Sequence, residues 1–263
     1  MKPFIVFILF ILSFSSSSNA KTKNESLSIH LVGFNVPRFV IDENRGEFIQ
    51  LLKKIASKTG IDLKISITPP QRALLLVKQG RVDGYFPGLN ELKRYLPELK
   101  TLDTNPFYFK KDFLFSQIET SESLKESHLK GKKICLTTGY PYDHKFVEKH
   151  KFQIESSSSD YGCLRMLAAK RVDYFMGELM SGVSALNEIS DNDRKLVKLI
   201  PNSISSLPVF FSFKESEKSR KVVSLFNREL EKMRASSELS QVFNEVKREV
   251  GEKYNFTYDP SVP

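Results

Sequence analysis

Leu74–Gly88 reads LLLVKQGRVDGYFPG, and Met166–Gly177 reads MLAAKRVDYFMG. Each stretch has an apolar helical run, then Arg-Val-Asp, then a short aromatic and apolar segment ending at a glycine. The first helix is expected to stop at Gly80 and the second near Lys170, because a helix end favours a residue that tolerates the left-handed conformation. The chain then turns through Arg-Val-Asp into a buried strand, Tyr85-Phe86 in one copy and Tyr174-Phe175-Met176 in the other. Two copies of one supersecondary unit point to two lobes with the same wiring.

The flanking sequence extends both units. Leu27 to Phe34 alternates as a strand. In Gly46–Thr59 the apolar Phe48, Leu51, Leu52 and Ile55 recur at helical spacing, and Gly60 ends the helix. Asp62 to Ile67 is a strand, and Pro69 and Pro70 open the next helix, where proline's fixed φ is pre-organised. The order β-α-β-α-β implies a mainly parallel sheet. In the second unit, strands are expected at Lys133–Thr137, Phe152–Glu155 and Lys195–Ile200. Helices are expected at Tyr142–His150, Tyr161–Ala169 and Leu179–Ile189. Two extended segments, Phe107–Ser116 and Leu207–Phe213, cross between the units and form a hinge. The tail from Glu217 to Val250 is helical and packs on the first unit. The expected fold class is α/β, a two-lobed clamshell of two mainly parallel sheets flanked by helices. Lobe one comprises 21–110 and 209–263, and lobe two 111–208.

The first 20 residues read as an export signal. Lys2 supplies the positive end, Phe4–Phe14 (FIVFILFILSF) the apolar run, and Ser18 and Ala20 the small residues of a cleavage site near Ala20. A span would need about 20 apolar residues, more than this run has. The mature chain is therefore expected in the periplasm. With 40 Lys and Arg against 31 Asp and Glu, the net charge is +9. These charges are mixed along the chain, and the densest run, Lys214–Lys221 (KESEKSRK), contains two glutamates. Such mixing describes a solvated surface, not a nucleic-acid interface. The two cysteines, Cys135 and Cys163, form a disulfide in an oxidising compartment; the alternative is two buried thiols.

In open parallel sheets, ligands sit beyond the carboxyl ends of the strands. The loop after the first Arg-Val-Asp strand carries Asn90 and Arg94, and Glu178 follows the second. Arg94 could grip a carboxylate with its planar fork, and Glu178 could accept from an ammonium group. Their structural alternatives are a surface cation and a helix N-terminal acid held by the dipole. Phe34 and Phe39 follow the first strand and could both stack on a ligand; ordinary core packing is the alternative, and it is favoured for Phe34. Thr138, Gly139 and Tyr140 follow the first strand of lobe two and precede a helix, where free N–H groups form an anion cradle. Arg72, in the helix opened by Pro69 and Pro70, completes the set.

The ordered stretches GEFIQLLKKIASKTGIDLKI, QRALLLVKQGRVDGYFPGL, NPFYF, LKGKKICLTTGYP and LAAKRVDYFMGEL resemble the bacterial extracellular solute-binding proteins of family 3. These are the two-lobed binding proteins of polar amino acid ABC transporters. The resemblance implies a type II periplasmic-binding fold that closes on its ligand by hinge motion. It also implies that Arg94 is the carboxylate-gripping arginine and Glu178 the amine-binding acid. The pairing of Cys135 with Cys163 resembles a divergent branch of that family. Departures are the absence of a threonine in a Thr-x-x-Arg pattern before Arg94, and Glu where Asp is more usual.

No Gly-x-Ser-x-Gly, P-loop or HExxH motif occurs, and the four histidines, His30, His128, His144 and His150, lack metal-ligand spacing. No metal or cofactor is expected. The expected function is capture of a small polar solute for an ABC importer by a monomer. A sensor reporting to a membrane receptor is the alternative, and an enzyme of dehydratase type on the same fold is a weaker one.

Overall fold

The computed structural model describes residues 27–117, 126–245, 247–248, 252 and 260–261. Residues 1–20, expected as an export signal, lie outside the described residues. Among those that are described, no helix is long and apolar enough to cross a membrane.

The first unit runs β1 (Ser28–Gly33), α1 (Glu47–Thr59), β2 (Asp62–Ile67), α2 (Pro70–Lys78) and β3 (Gly84–Gly88). A 3-10 turn (Asn90–Tyr95), β4 (Thr101–Asp103) and the long β5 (Tyr108–Ser116) follow. The second unit runs α3 (Glu126–Leu129), β6 (Lys133–Thr137), α4 (His144–Lys149), β7 (Gln153–Ser157), α5 (Asp160–Ala168), β8 (Tyr174–Glu178) and α6 (Leu179–Glu188). Then come α7 (Asp191–Leu196), β9 (Lys198–Leu199), β10 (Ser205–Lys214), α8 (Glu217–Ala235) and α9 (Glu238–Val242).

The strand order β2-β1-β3-β10-β5-β8-β6-β7 contains the same arrangement twice. Read inward from each edge, the orders are β2-β1-β3-β10 and β7-β6-β8-β5. In both, the first three strands pair in parallel and the fourth is antiparallel. The fourth strands are the two crossing segments. They pair with each other over Tyr108–Asp112 and Ser205–Val209, then diverge, β10 to β3 and β5 to β8.

The Arg-Val-Asp repeat has one physical explanation in both lobes. Gly80 (φ 70°) and Lys170 (φ 57°) are both left-handed. In each case the following arginine N–H returns to the helix, Arg81 to the Leu76 carbonyl at 3.0 Å and Arg171 to the Met166 carbonyl at 2.9 Å. This is the six-to-one bond of a Schellman helix end. Val82 and Val172 are then buried. The Asp83 carboxylate accepts from the His30 N–H and the Asp173 carboxylate from the Lys133 N–H, both at 2.8 Å. The two aspartates thus lock the third strand of each lobe to its first. The register pairs Leu31 with Gly84 and Ile134 with Tyr174, so Gly88 is equivalent to Glu178, and the two terminal glycines of the sequence repeat do not correspond. Gly84 is needed because a Cβ there would lie 2.2 Å from the Ser212 carbonyl oxygen.

A left-handed non-glycine backbone costs about 1–2 kcal/mol. Lys170 is exposed, and Lys170→Gly should therefore raise stability by about 0.5–1 kcal/mol, once glycine's greater unfolded entropy is offset. Chemical denaturation that shows no gain would mean the strain is relieved elsewhere.

Lobe one is built around one apolar cluster to which α8 contributes Val222, Phe226, Leu230 and Met233, so the tail packs there as its pattern indicated. That tail is not one helix: Ser237 (φ 60°) breaks it between α8 and α9. Lobe two has apolar clusters on both faces of its sheet, and in one of them Cys135 of β6 is joined to Cys163 of α5 by a disulfide. Closing a loop of 28 residues stabilises by about 3–4 kcal/mol in the chain-entropy account. One expectation fails: Lys195–Ile200 is not a strand. Ser190 accepts from the Asp193 N–H and, with Asp191 and Asp193 in the first turn, starts α7 instead, leaving only Lys198–Leu199 to pair with β5. Helix α4 is shorter than expected. It starts at His144 because the Asp143 carboxylate caps Lys145 and Phe146.

Candidate functional site

The carboxyl ends of β1, β3, β6 and β8 converge where β5 and β10 cross. A cavity of about 70 Å³ lies there. Lobe one supplies Phe34, Val36 and Phe39 from the loop after β1, Phe48 from α1, and Pro87 and Leu89 at the end of β3. The crossing strands add Tyr108, Lys110 and Val209, and lobe two adds Gly139, Tyr140, Pro141, Glu178 and Ser181.

The aromatic wall is rigid. Phe39 stacks on Phe48 at 4.7 Å between ring centroids, and both rings meet Tyr108 edge-on at 5.0 and 5.1 Å. Phe243, from the chain after α9, closes the far side of Tyr108 at 5.2 Å. With its ring held, Tyr108 directs its hydroxyl to Glu178 and donates to Oε1 at 2.7 Å. Oε2 of Glu178 accepts from the Ser181 N–H at 2.8 Å and thereby caps α6. Glu178 is thus a helix-capping acid, but a buried one, 5 % exposed. Burial raises its pKa, opposed by the bonds from Ser181 and Tyr108.

A second polar group lies beneath. Lys110 donates to the fully buried Asp112 and sits over the Tyr142 ring at 5.2 Å. The other Asp112 oxygen accepts from the Ser205 hydroxyl at 2.8 Å. Asp160, at the start of α5, accepts from the Thr137 hydroxyl through one oxygen; its second oxygen is buried without a partner. Burial raises the Asp160 pKa as well. The Tyr140 phenol is pushed up by burial and by the charges of Asp160 and Glu178, so it remains a neutral donor. Ser181 Oγ is buried and unpartnered. Among the described residues no cluster of three or more His, Cys, Asp or Glu could hold a metal ion.

Of the residues singled out in the sequence, the cavity brings together Phe39, Gly139, Tyr140 and Glu178. Phe34 does both things considered for it, packing in the lobe-one core while lining the cavity. Arg94 and Asn90 are exposed on the 3-10 turn, Arg72 is exposed on α2, and Thr138 is exposed beside Gly139; none of the four lines this cavity. Tyr108, Lys110 and Ser181 were not anticipated. Tyr108 and Lys110 lie in a segment whose pattern reads only as a strand, and Ser181 in one that reads only as a helix. No local signal marks them.

No protein-family profile matches the chain, and no curated protein matches it in sequence. Solved structures do match. A histidine kinase sensor domain described as similar to periplasmic binding proteins superposes with a TM-score of 0.65 at 17% identity, over 84% of this chain and 96% of its own. An ancestral arginine-binding protein bound to arginine gives 0.62 at 17% identity, over 83% and 97%. The L-cystine solute receptor of Neisseria gonorrhoeae, unliganded and open, gives 0.62 at 16% identity, over 91% and 97%. The repeated strand order, the paired crossing strands and these superpositions agree: the chain has the two-lobed α/β fold of the periplasmic binding proteins.

Proposed function

We propose that the mature chain is a periplasmic solute-binding protein, exported through a signal peptide cleaved near Ala20, that captures a small polar solute between its lobes for an ABC importer. The observation that carries this reading is the cavity at the carboxyl ends of both lobes' strands, where apolar walls surround a few fixed polar groups. That is the usual build of a small-molecule site. The lobes are 21–110 with 209–263, and 111–208, and β5 with β10 acts as the hinge; the mirrored strand order supports this division. Binding without turnover is favoured because Glu178 is already engaged by two donors, as suits a positioning group more than a proton shuttle. The monomer would meet an inner-membrane permease in its closed form. A sensor reporting to a membrane receptor is the second reading, favoured by the likeness to a kinase sensor domain.

The test is a thermal-shift screen of the mature protein against amino acids, amines and organic acids. A solute binding only the native state stabilises by about 2.7 kcal/mol at 100 times its Kd. One chemical class should raise Tm; no shift with any class would remove the reading. Arg94→Ala separates two versions of the site. The cavity geometry favours unchanged affinity, whereas abolished binding would bring the exposed Arg94 onto the ligand on closure.

A further inference from the structure

We propose that the solute is a small organic cation, an alkyl- or methylammonium ion without a carboxylate; this deepens the solute-capture reading and rests on it. Three observations carry it. First, the charge around the cavity is unbalanced. Three buried carboxylates, Asp112, Asp160 and Glu178, face one buried ammonium, Lys110. Lys110 lines the cavity but is bonded to Asp112, so one ammonium is shared among three carboxylates, Glu178 and Asp160 included, and Asp160 adds to the field at Tyr140. Buried charges are ordinarily paired. The missing partner is a positive one.

Second, the acceptors are in place and incompletely used. Tyr108 and the Ser181 N–H each bond one Glu178 oxygen and the Met180 N–H adds to them, whereas a carboxylate can accept about four donors. Ser181 Oγ, 2 % exposed and lining the cavity, has no partner. An ammonium group between them would satisfy both. Third, five aromatic side chains, Phe34, Phe39, Phe48, Tyr108 and Tyr140, stand in the wall among aliphatic ones. Ring faces attract desolvated cations, and quaternary ammonium groups are recognised in this way. Among the described residues no arginine lines the cavity, and its ammonium, Lys110, is already bonded to Asp112. An α-carboxylate there would meet Glu178 without a guanidinium to hold it, which disfavours a free amino acid.

Isothermal titration of the mature protein with propylammonium and tetramethylammonium chlorides, beside propionate, isopropanol and alanine, tests the charge. At least one ammonium ion should bind about 10- to 100-fold tighter than propionate and alanine, as a hydrogen bond to a charged group implies. Ser181→Ala should weaken ammonium binding up to about 10-fold without lowering Tm, because the hydroxyl has no partner to lose. Glu178→Gln should weaken it about 10- to 100-fold. Equal or tighter binding of propionate, alanine or another amino acid overturns the cation but leaves solute capture standing. If neither the ammonium ions nor any of the wider panel of amines, amino acids and organic acids binds, both fall. Ammonium binding indifferent to both substitutions overturns the assignment to this cavity.

Discussion

Glu178→Ala is expected to destabilise the protein markedly, whereas Glu178→Gln should leave its stability unchanged or raise it. Alanine removes both acceptors at once. The Tyr108 hydroxyl and the Ser181 N–H would each lose a buried acceptor, at about 1–3 kcal/mol each, and α6 would lose its cap. Glutamine keeps a carbonyl oxygen for the Ser181 N–H, and its amide can donate to the Tyr108 hydroxyl, which can accept as well as donate. It also removes a charge that burial disfavours. The pH dependence follows from the same cause. Burial raises the Glu178 pKa, so the folded state holds this proton more tightly than the unfolded chain. The associated stability is complete below the ordinary glutamate range and is lost as pH rises through the folded value. Asp160 acts in the same direction. Melting curves across mildly acidic to neutral pH should therefore show a steeper fall for the wild type than for Glu178→Gln. Parallel curves would mean that Glu178 is not the group responsible.

Asp112→Ala is expected to cost about 3–5 kcal/mol, the usual penalty for breaking a buried pair and leaving its partner charge uncompensated. Asp112 is fully buried, and Lys110 nearly so. Without the carboxylate, the Lys110 ammonium loses its bonded partner and keeps its position over the Tyr142 ring and the more distant charges of Asp160 and Glu178, and the Ser205 hydroxyl loses its acceptor. The position also matters mechanically, because Asp112 lies where β5 leaves its pairing with β10 and joins β8. Replacing both partners, Lys110→Met with Asp112→Leu, should recover most of the loss, since an apolar pair of similar size avoids desolvation altogether. Urea unfolding of the single and double variants measures this. A double variant as unstable as Asp112→Ala would show that the ion pair is worth more than its desolvation penalty.

The sequence by itself determined what depends on neighbours along the chain. The two Arg-Val-Asp units, the glycine that stops α1 and the prolines that open α2 are each readable because helix ends and strand starts are governed by backbone preferences over a few residues. The doubling of one unit was enough to imply two lobes and a candidate site at their strand ends, and so to single out Glu178, which lines the cavity there together with Phe39. Only the tertiary structure decided which side chains line the cavity there. Tyr108 and Glu178 are 70 residues apart and meet because β5 pairs with β8 in one register. A single-residue shift there would turn every alternate side chain of β5 to the other face. The registers of β1 with β3 and of β6 with β8 show Gly88 and Glu178 to be equivalent, where matching letters had aligned Gly88 with Gly177. Arg94 has a fitting chemistry but stands exposed on its 3-10 turn, because a side chain's chemical suitability does not fix where the backbone carries it.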